Sequence, residues 1–186
     1  MTETATPTPT TRVERLNQLA TRDLHELCDA ADAAILDGGG FGWLKPPQRS
    51  VMETYWRGVL LVPERELFVS RLDGTIAGSA QLQRMPKNNE AQSYVGQLST
   101  FFVAPWARGH GLARMLVEAV ERAARSAGLR VLNLDVRETQ ERAIRLYDQL
   151  GYQRYGTHPH YALAGGRWVT GFYYYKDLTG AASASE

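Results

Sequence analysis

The stretch that most constrains this fold runs from residue 98 to residue 127. It reads as a hydrophobic strand over 98–103, a basic glycine-rich turn, Arg108-Gly109-His110-Gly111-Leu112-Ala113, and a strongly amphipathic helix. A helix start carries unpaired N–H groups and a positive dipole end, so the turn is placed to hold an anion. Glycines let the backbone approach that anion with no Cβ between. Two common nucleotide binders are excluded. The turn lacks the Gly-Lys-Ser/Thr end of a phosphate loop. It is too short for a Gly-x-Gly-x-x-Gly dinucleotide fingerprint, and no acidic ribose-binding residue follows a second strand. What remains is Arg-x-x-Gly-x-Ala. In the helix, Leu112, Met115, Leu116, Ala119, Val120, Ala123 and Ala127 form the expected apolar face. Arg114, Glu118, Glu121, Arg122 and Arg125 are expected to face away, and Gly128 to sit just past the end.

Hydrophobic spacing predicts further elements on both sides. Strands are expected over 13–19, 66–72, 75–83, 93–103, 129–136, 152–162 and 168–178. Helices are expected over 23–36, 49–62 and 141–150. Asp73-Gly74 is a two-residue hairpin signal, and Gly165-Gly166 joins the last two strands. The strand-helix-strand unit over 98–136 should be a right-handed parallel crossover. The chain is thus an α+β domain with a mixed, mostly antiparallel sheet of about six to seven strands flanked by helices. Residues 1–10 are rich in threonine and proline and read as a disordered tail; 11–178 form the domain; 179–186 read as a second tail.

A second segment follows at the right distance: Glu141-Arg142-Ala143-Ile144-Arg145-Leu146-Tyr147-Asp148-Gln149-Leu150-Gly151-Tyr152. Together the two segments resemble the GNAT superfamily of acyl-CoA-dependent N-acyltransferases. The first is similar to that family's pyrophosphate motif, and the second to its Ala-x-x-Leu-Tyr-x-x-x-Gly-Phe/Tyr segment. The resemblance covers residues 66 to 178 and extends more weakly toward the N-terminus. It implies a single GNAT-like domain and acetyl-CoA as cosubstrate. The amides of Arg108, Gly109, His110, Gly111, Leu112 and Ala113 would hold the pyrophosphate. The backbone of Phe101 and Val103 would pair with the pantetheine arm, leaving the sheet splayed between that strand and the one over 129–136. Gln140 stands where the family often has asparagine.

Acyl transfer to an amine needs a neutral nucleophile and a protonated leaving thiolate. The resemblance makes Tyr147 the proton donor to the thiolate, since a phenol can supply a proton. From spacing alone, Tyr147 shares a helical face with Ala143, Leu146 and Leu150, and reads as a core aromatic. Many relatives carry a glutamate base on the strand before the pyrophosphate turn. The matching position here is Gln97, which cannot take a proton. Asp135 ranks first as its replacement. Glu90, Glu138, or a water held by backbone carbonyls and Ser99 or Thr100 are the alternatives. His110 is expected to face solvent or a CoA phosphate. His158 and His160 flank Pro159 and lack a third ligand for a metal, so no metal site is expected.

A narrower likeness rests on Gly38-Gly39-Gly40-Phe41-Gly42-Trp43-Leu44, Tyr55-Trp56, Gln81-Leu82 and the closing residues 172–178. These resemble the branch containing tabtoxin-resistance acetyltransferases, which implies a small, polar, amino-acid-like amine as acceptor. Phe41, Trp43, Trp56 and Tyr161 are candidate pocket walls. Acetylation of protein or peptide amines is the second enzyme reading, and a CoA-binding module without catalysis the third. With 21 basic and 20 acidic residues the formal net charge is +1, which gives no footprint for nucleic acid. The single cysteine, Cys28, excludes an intramolecular disulfide. No apolar run is long enough to span a membrane and no signal peptide is evident, so the expected compartment is the cytoplasm. A homodimer is left open.

Overall fold

The computed structural model describes residues 8–39 and 41–181. Its elements are β1 (Thr11–Leu16), α1 (Thr21–Leu36), α2 (Arg49–Val59), β2 (Arg65–Leu72), β3 (Thr75–Arg84), β4 (Val95–Val103), α3 (Leu112–Ser126), β5 (Val131–Arg137), α4 (Glu141–Gln149), β6 (Gln153–Ala164) and β7 (Arg167–Asp177). The strands form one sheet in the order β1-β2-β3-β4-β5-β7-β6. Neighbours are antiparallel except β4 and β5, which α3 connects as the expected parallel crossover. This is the mixed, mostly antiparallel α+β sheet that the sequence pattern implies.

The alternation of side chains along the strands builds two cores. On β2, Leu67 and Val69 face α1 and α2, where they meet Leu27, Ile35, Met52 and Trp56. Phe68, between them, points the other way, to the face carrying Leu116 and Val120 of α3 and Tyr147 of α4. On β5, Leu132, Leu134 and Val136 belong to this second core. Asn133, Asp135 and Arg137 therefore lie on the α1–α2 side of the sheet.

Several boundaries differ from the sequence expectation. β1 is 11–16 rather than 13–19, and α2 stops at Val59. Thr10, assigned to the tail, is pinned to the β2–β3 turn: its N–H and hydroxyl donate to Asp73 Oδ1 at 2.8 and 3.1 Å. Thr179, assigned to the other tail, donates its N–H to Asp177 Oδ1 at 2.7 Å. Of the tail residues, 1–7 and 182–186 lie outside the described residues. On α3 the buried face is rotated from the expected one. Val117 and Ala124 are buried, and so is Glu121, which was expected to face away. Its carboxylate accepts from Lys176 Nζ at 2.7 and 2.8 Å, so β7 supplies the charge that makes its burial tolerable.

Candidate active site

The site begins where two parallel strands part. β4 and β5 pair at Val95–Val131, Gly96–Leu132 and Gln97–Asn133, and no further. β4 continues to Val103 and β5 to Arg137, so the sheet opens between them. A bulge in β4 sharpens the change. Pairing with β3 slips between Ser79 and Gln81, and Thr100 takes a positive φ of 49°. The extra residue reverses the facing of the positions beyond it. Leu98 and Phe101 both reach the α3–α4 core, whereas Phe102 turns to the α1–α2 core and stacks on Phe41 at 5.2 Å. The Thr100 side chain meets the Tyr55 hydroxyl at 3.2 Å, and Gln81 donates to that same hydroxyl at 3.2 Å. Sequence pattern gave no sign of this bulge, because residues 98–103 read as an ordinary apolar strand.

The glycine turn closes one end of the opening. Gly109 and Gly111 both have positive φ, 83° and 75°. Gly111 is the N-cap of α3, and the first intrahelical bond there runs from Met115 N–H to Gly111 O at 3.1 Å. The amides of residues 112–114 thus lack an intrahelical acceptor. A Cβ added at Gly109 or Gly111 would meet nothing within 4 Å, so the space over these amides is open. It belongs to a cleft of about 1010 Å³ whose walls include Phe101, Val103, Arg108, Gly109, Gly111, Leu112, Ala113, Gln140 and Leu146. The structure therefore brings together eight of the nine predicted cofactor residues. His110 is the exception: it is exposed and its Nδ1 lies 3.2 Å from Ala107 O. Ala113 lines the cleft, while Leu112, Leu116 and Val117 make the buried contacts of the helix.

Two predicted residues are tied to a segment that sequence reasoning did not place at the cofactor site. Arg108 Nη2 donates to Asp37 Oδ2 at 2.5 Å, and Gln140 Nε2 donates to Gly38 O at 2.7 Å. Asp37 and Gly38 follow the end of α1, so they strap the two rims of the cleft together. The Arg108 guanidinium holds the Asp37 carboxyl below the usual carboxylate range.

Tyr147 and Asp135 stand on opposite sides of the opened sheet. Tyr147 is buried, with its ring 5.8 Å from Phe101 and 5.6 Å from Tyr152. Burial, reinforced by the Asp135 charge, pushes its pKa up, so the phenol keeps its proton at neutral pH. Asp135 lies just past the last β4–β5 pair. Its Oδ1 accepts from Gln97 Nε2 at 2.8 Å, and its Oδ2 accepts from the Tyr161 hydroxyl. Gln97, which stands where many relatives carry the glutamate, thus lies beside the candidate base. The alternative carboxylates stand elsewhere: Glu138 Oε1 accepts from Thr170 N–H at 3.0 Å, and Glu90 starts a single turn before β4. His158 Nδ1 accepts from His160 N–H at 3.0 Å, a local turn bond. Among the described residues no group of three His, Cys, Asp or Glu could hold a metal ion. Burial pushes the Cys28 thiol up to about 11.

A second cavity, of about 370 Å³, adjoins the cleft. The α1–α2 loop supplies Trp43 and Leu44, the β6–β7 hairpin supplies Ala164, Gly165 and Val169, and β5 supplies Arg137. Asp37, Thr139 and Gln140 line both spaces. Of the predicted pocket walls, Trp43 is one; Phe41 and Trp56 pack into the aromatic cluster behind it, at 5.6 Å from each other. Among the described residues no helix is long and apolar enough to cross a membrane.

Comparison with known proteins agrees with this geometry. The profile of the acetyltransferase (GNAT) family matches residues 22–152. An uncharacterized N-acetyltransferase from the hisH-hisA intergenic region of Azospirillum brasilense is 67% identical over 130 residues, covering 70% of this chain and 77% of its own. Among solved structures, an N-acetyltransferase from Staphylococcus aureus Mu50 superposes with a TM-score of 0.77 at 21% identity, covering 91% of this chain and 99% of its own. A phosphinothricin acetyltransferase from Sinorhizobium meliloti in complex with acetyl-CoA gives 0.73 at 19% identity, covering 95% and 92%. On the matched profile, which spans the anion turn, the opened strands and the α4 tyrosine, this chain belongs to the GNAT family of acetyltransferases.

Proposed function

We propose that this enzyme transfers the acetyl group of acetyl-CoA to the primary amine of a small, polar, amino-acid-like molecule. The observation that carries the reading is the pair of adjoining cavities. The larger one suits an extended cosubstrate: an anion-binding turn at one end and unpaired β4 edge along one side. The smaller, about 370 Å³, is near the low end of small-molecule pockets and has no room for a folded partner. The amides of 108–113 and Arg108 hold the pyrophosphate, and β4 at Phe101 and Val103 takes the pantetheine arm as an added strand. Gln140 borders that arm from α4.

The thioester then lies in the opening between β4 and β5, with a proton donor on one face and an acceptor on the other. Asp135 takes a proton from the amine. The amine nitrogen attacks the thioester carbonyl carbon, the C–N bond forms, and the C–S bond breaks. Tyr147 gives its proton to the departing thiolate, and the second proton, which the nitrogen sheds as it becomes an amide, restores the phenol. The likeness to phosphinothricin and tabtoxin-resistance acetyltransferases supports an amino-acid-like acceptor, and a self-protection role follows from it. A panel of amino acids, phosphinothricin and short peptides, offered with acetyl-CoA while free thiol is monitored, tests this. Turnover with the small amines is expected. Turnover with peptides alone would overturn the small-molecule assignment, and tight acetyl-CoA binding without any turnover would overturn catalysis.

A further inference from the structure

We propose that Tyr161 is a further catalytic residue, which relays the amine proton to Asp135. The inference rests on the N-acetyltransferase reading above. Both oxygens of Asp135 are already engaged, Oδ1 by Gln97 and Oδ2 by Tyr161. The Tyr161 hydrogen is committed to Asp135, so the lone pairs of its oxygen are the acceptor presented outward. An ammonium N–H donates to that oxygen. As its proton moves to Tyr161 Oη, the Tyr161 proton moves to Asp135 Oδ2. The amine is left neutral, Tyr161 is again a phenol, and Asp135 is a neutral acid. Gln97 cannot take a proton and holds Oδ1, leaving Oδ2 as the receiving atom.

The chain builds a place for this ring. Pairing of β6 with β7 jumps from His158–Gly171 to Ala162–Val169, so Pro159, His160 and Tyr161 bulge out opposite Thr170. Bulges of this kind re-aim side chains beside active sites. The Tyr161 ring lies across the bare backbone of Gly171. A Cβ there would fall 2.6 Å from Tyr161 Cβ and closer still to two ring carbons. Only glycine admits the ring at that approach. The charged and titratable groups facing Tyr161 are Asp135 and Arg137 on β5 and Tyr173 on β7. Burial and the Asp135 carboxylate keep its phenol protonated, as a relay requires. Arg137, on the same face of β5, lines the second cavity, as does Ala164 three residues beyond Tyr161. Asp135 thus stands two residues along β5 from a wall of the second cavity, and Tyr161 is bonded to it.

The test compares wild type, Tyr161→Phe, Asp135→Asn and the double variant, using the fastest acceptor among α-amino acids and phosphinothricin. At pH 6.5, Tyr161→Phe should lower kcat/KM for the acceptor by about 10²-fold, with acetyl-CoA Kd unchanged. The deficit should shrink as pH rises toward the amine pKa, because neutral amine then arrives from solution. The double variant should be no worse than Asp135→Asn by more than about twofold. Gly171→Ala, which displaces the ring without deleting it, should show the same pH-dependent loss and covers the case that Tyr161→Phe does not fold. A Tyr161→Phe rate within about threefold of wild type, or a deficit constant with pH, overturns the relay. If Asp135→Asn is then still impaired, Asp135 acts directly and the function assigned above stands. No wild-type transfer to any panel member overturns that function and the relay with it.

Discussion

Replacing Gly111 with alanine separates the two demands made on the anion turn. Gly111 has φ 75° and ψ 0°, a left-handed conformation. An L-residue there costs about 1–2 kcal/mol. In a chain of this size each kcal/mol lowers Tm by about 2–4 °C, so a fall of roughly 2–8 °C is expected. No clash adds to this, because an added Cβ meets nothing within 4 Å. With acetyl-CoA the same space is needed for pyrophosphate. Losing one charge-assisted hydrogen bond to an amide, about 1.5–3 kcal/mol, weakens binding roughly 10- to 150-fold. Gly111→Leu, with the larger obstruction, should abolish measurable binding. Calorimetry on the folded variants, with thermal melts in the absence of acetyl-CoA, reads both quantities. A lowered Tm with Kd within twofold of wild type would refute the placement of the pyrophosphate over these amides.

Three further outcomes are expected. Tyr147→Phe should lower kcat by about 10²- to 10⁴-fold at saturating acetyl-CoA with little change in affinity. Near-normal turnover would make Tyr147 a core aromatic. Arg108→Glu should weaken acetyl-CoA binding, and the difference from wild type should narrow as salt is raised, since screening at higher ionic strength shortens the reach of the charge. Calorimetry at two salt concentrations checks this. Asp37, held by Arg108 below its ordinary value of 3.8, stabilises the fold above that pH and loses its contribution as pH falls through the lowered value. Tm of Asp37→Asn should therefore fall less steeply than wild type on acidification below about pH 4, and parallel Tm curves would show the pair to be without consequence.

Much of the candidate site was legible because it is local. The residues of the turn at 108–113 are consecutive, so their spacing carries both the strand-to-helix geometry and the anion chemistry. The α4 segment around Tyr147 is equally contiguous. What could not be read are contacts between distant segments. Arg108 reaches Asp37 across 71 positions and Gln140 reaches Gly38 across 102. The bulge at Thr100 is set by register against β3, and periodicity within one strand cannot report a partner's slip. Tyr161 could be named as a pocket wall, but its hold on Asp135 depends on a second bulge and on the absent side chain of Gly171. On α3, the expected apolar face missed Glu121 because its neutralising Lys176 is 55 positions away.

The wall shared by the two cavities sets limits on how this enzyme can diversify. Asp37, Thr139 and Gln140 line both. On the proposed assignment of the cavities, a change at any of them alters the cosubstrate's space and the acceptor's together, so a new acceptor preference gained there carries a cost in cosubstrate use. Trp43, Leu44, Ala164 and Val169 line the second cavity and not the first. They sit on one connection and on the end of an edge hairpin, where substitution disturbs little of the sheet. Selectivity can drift at those four positions while the acetyl-donor machinery stays as it is, and a library restricted to them is the economical route to an altered acceptor.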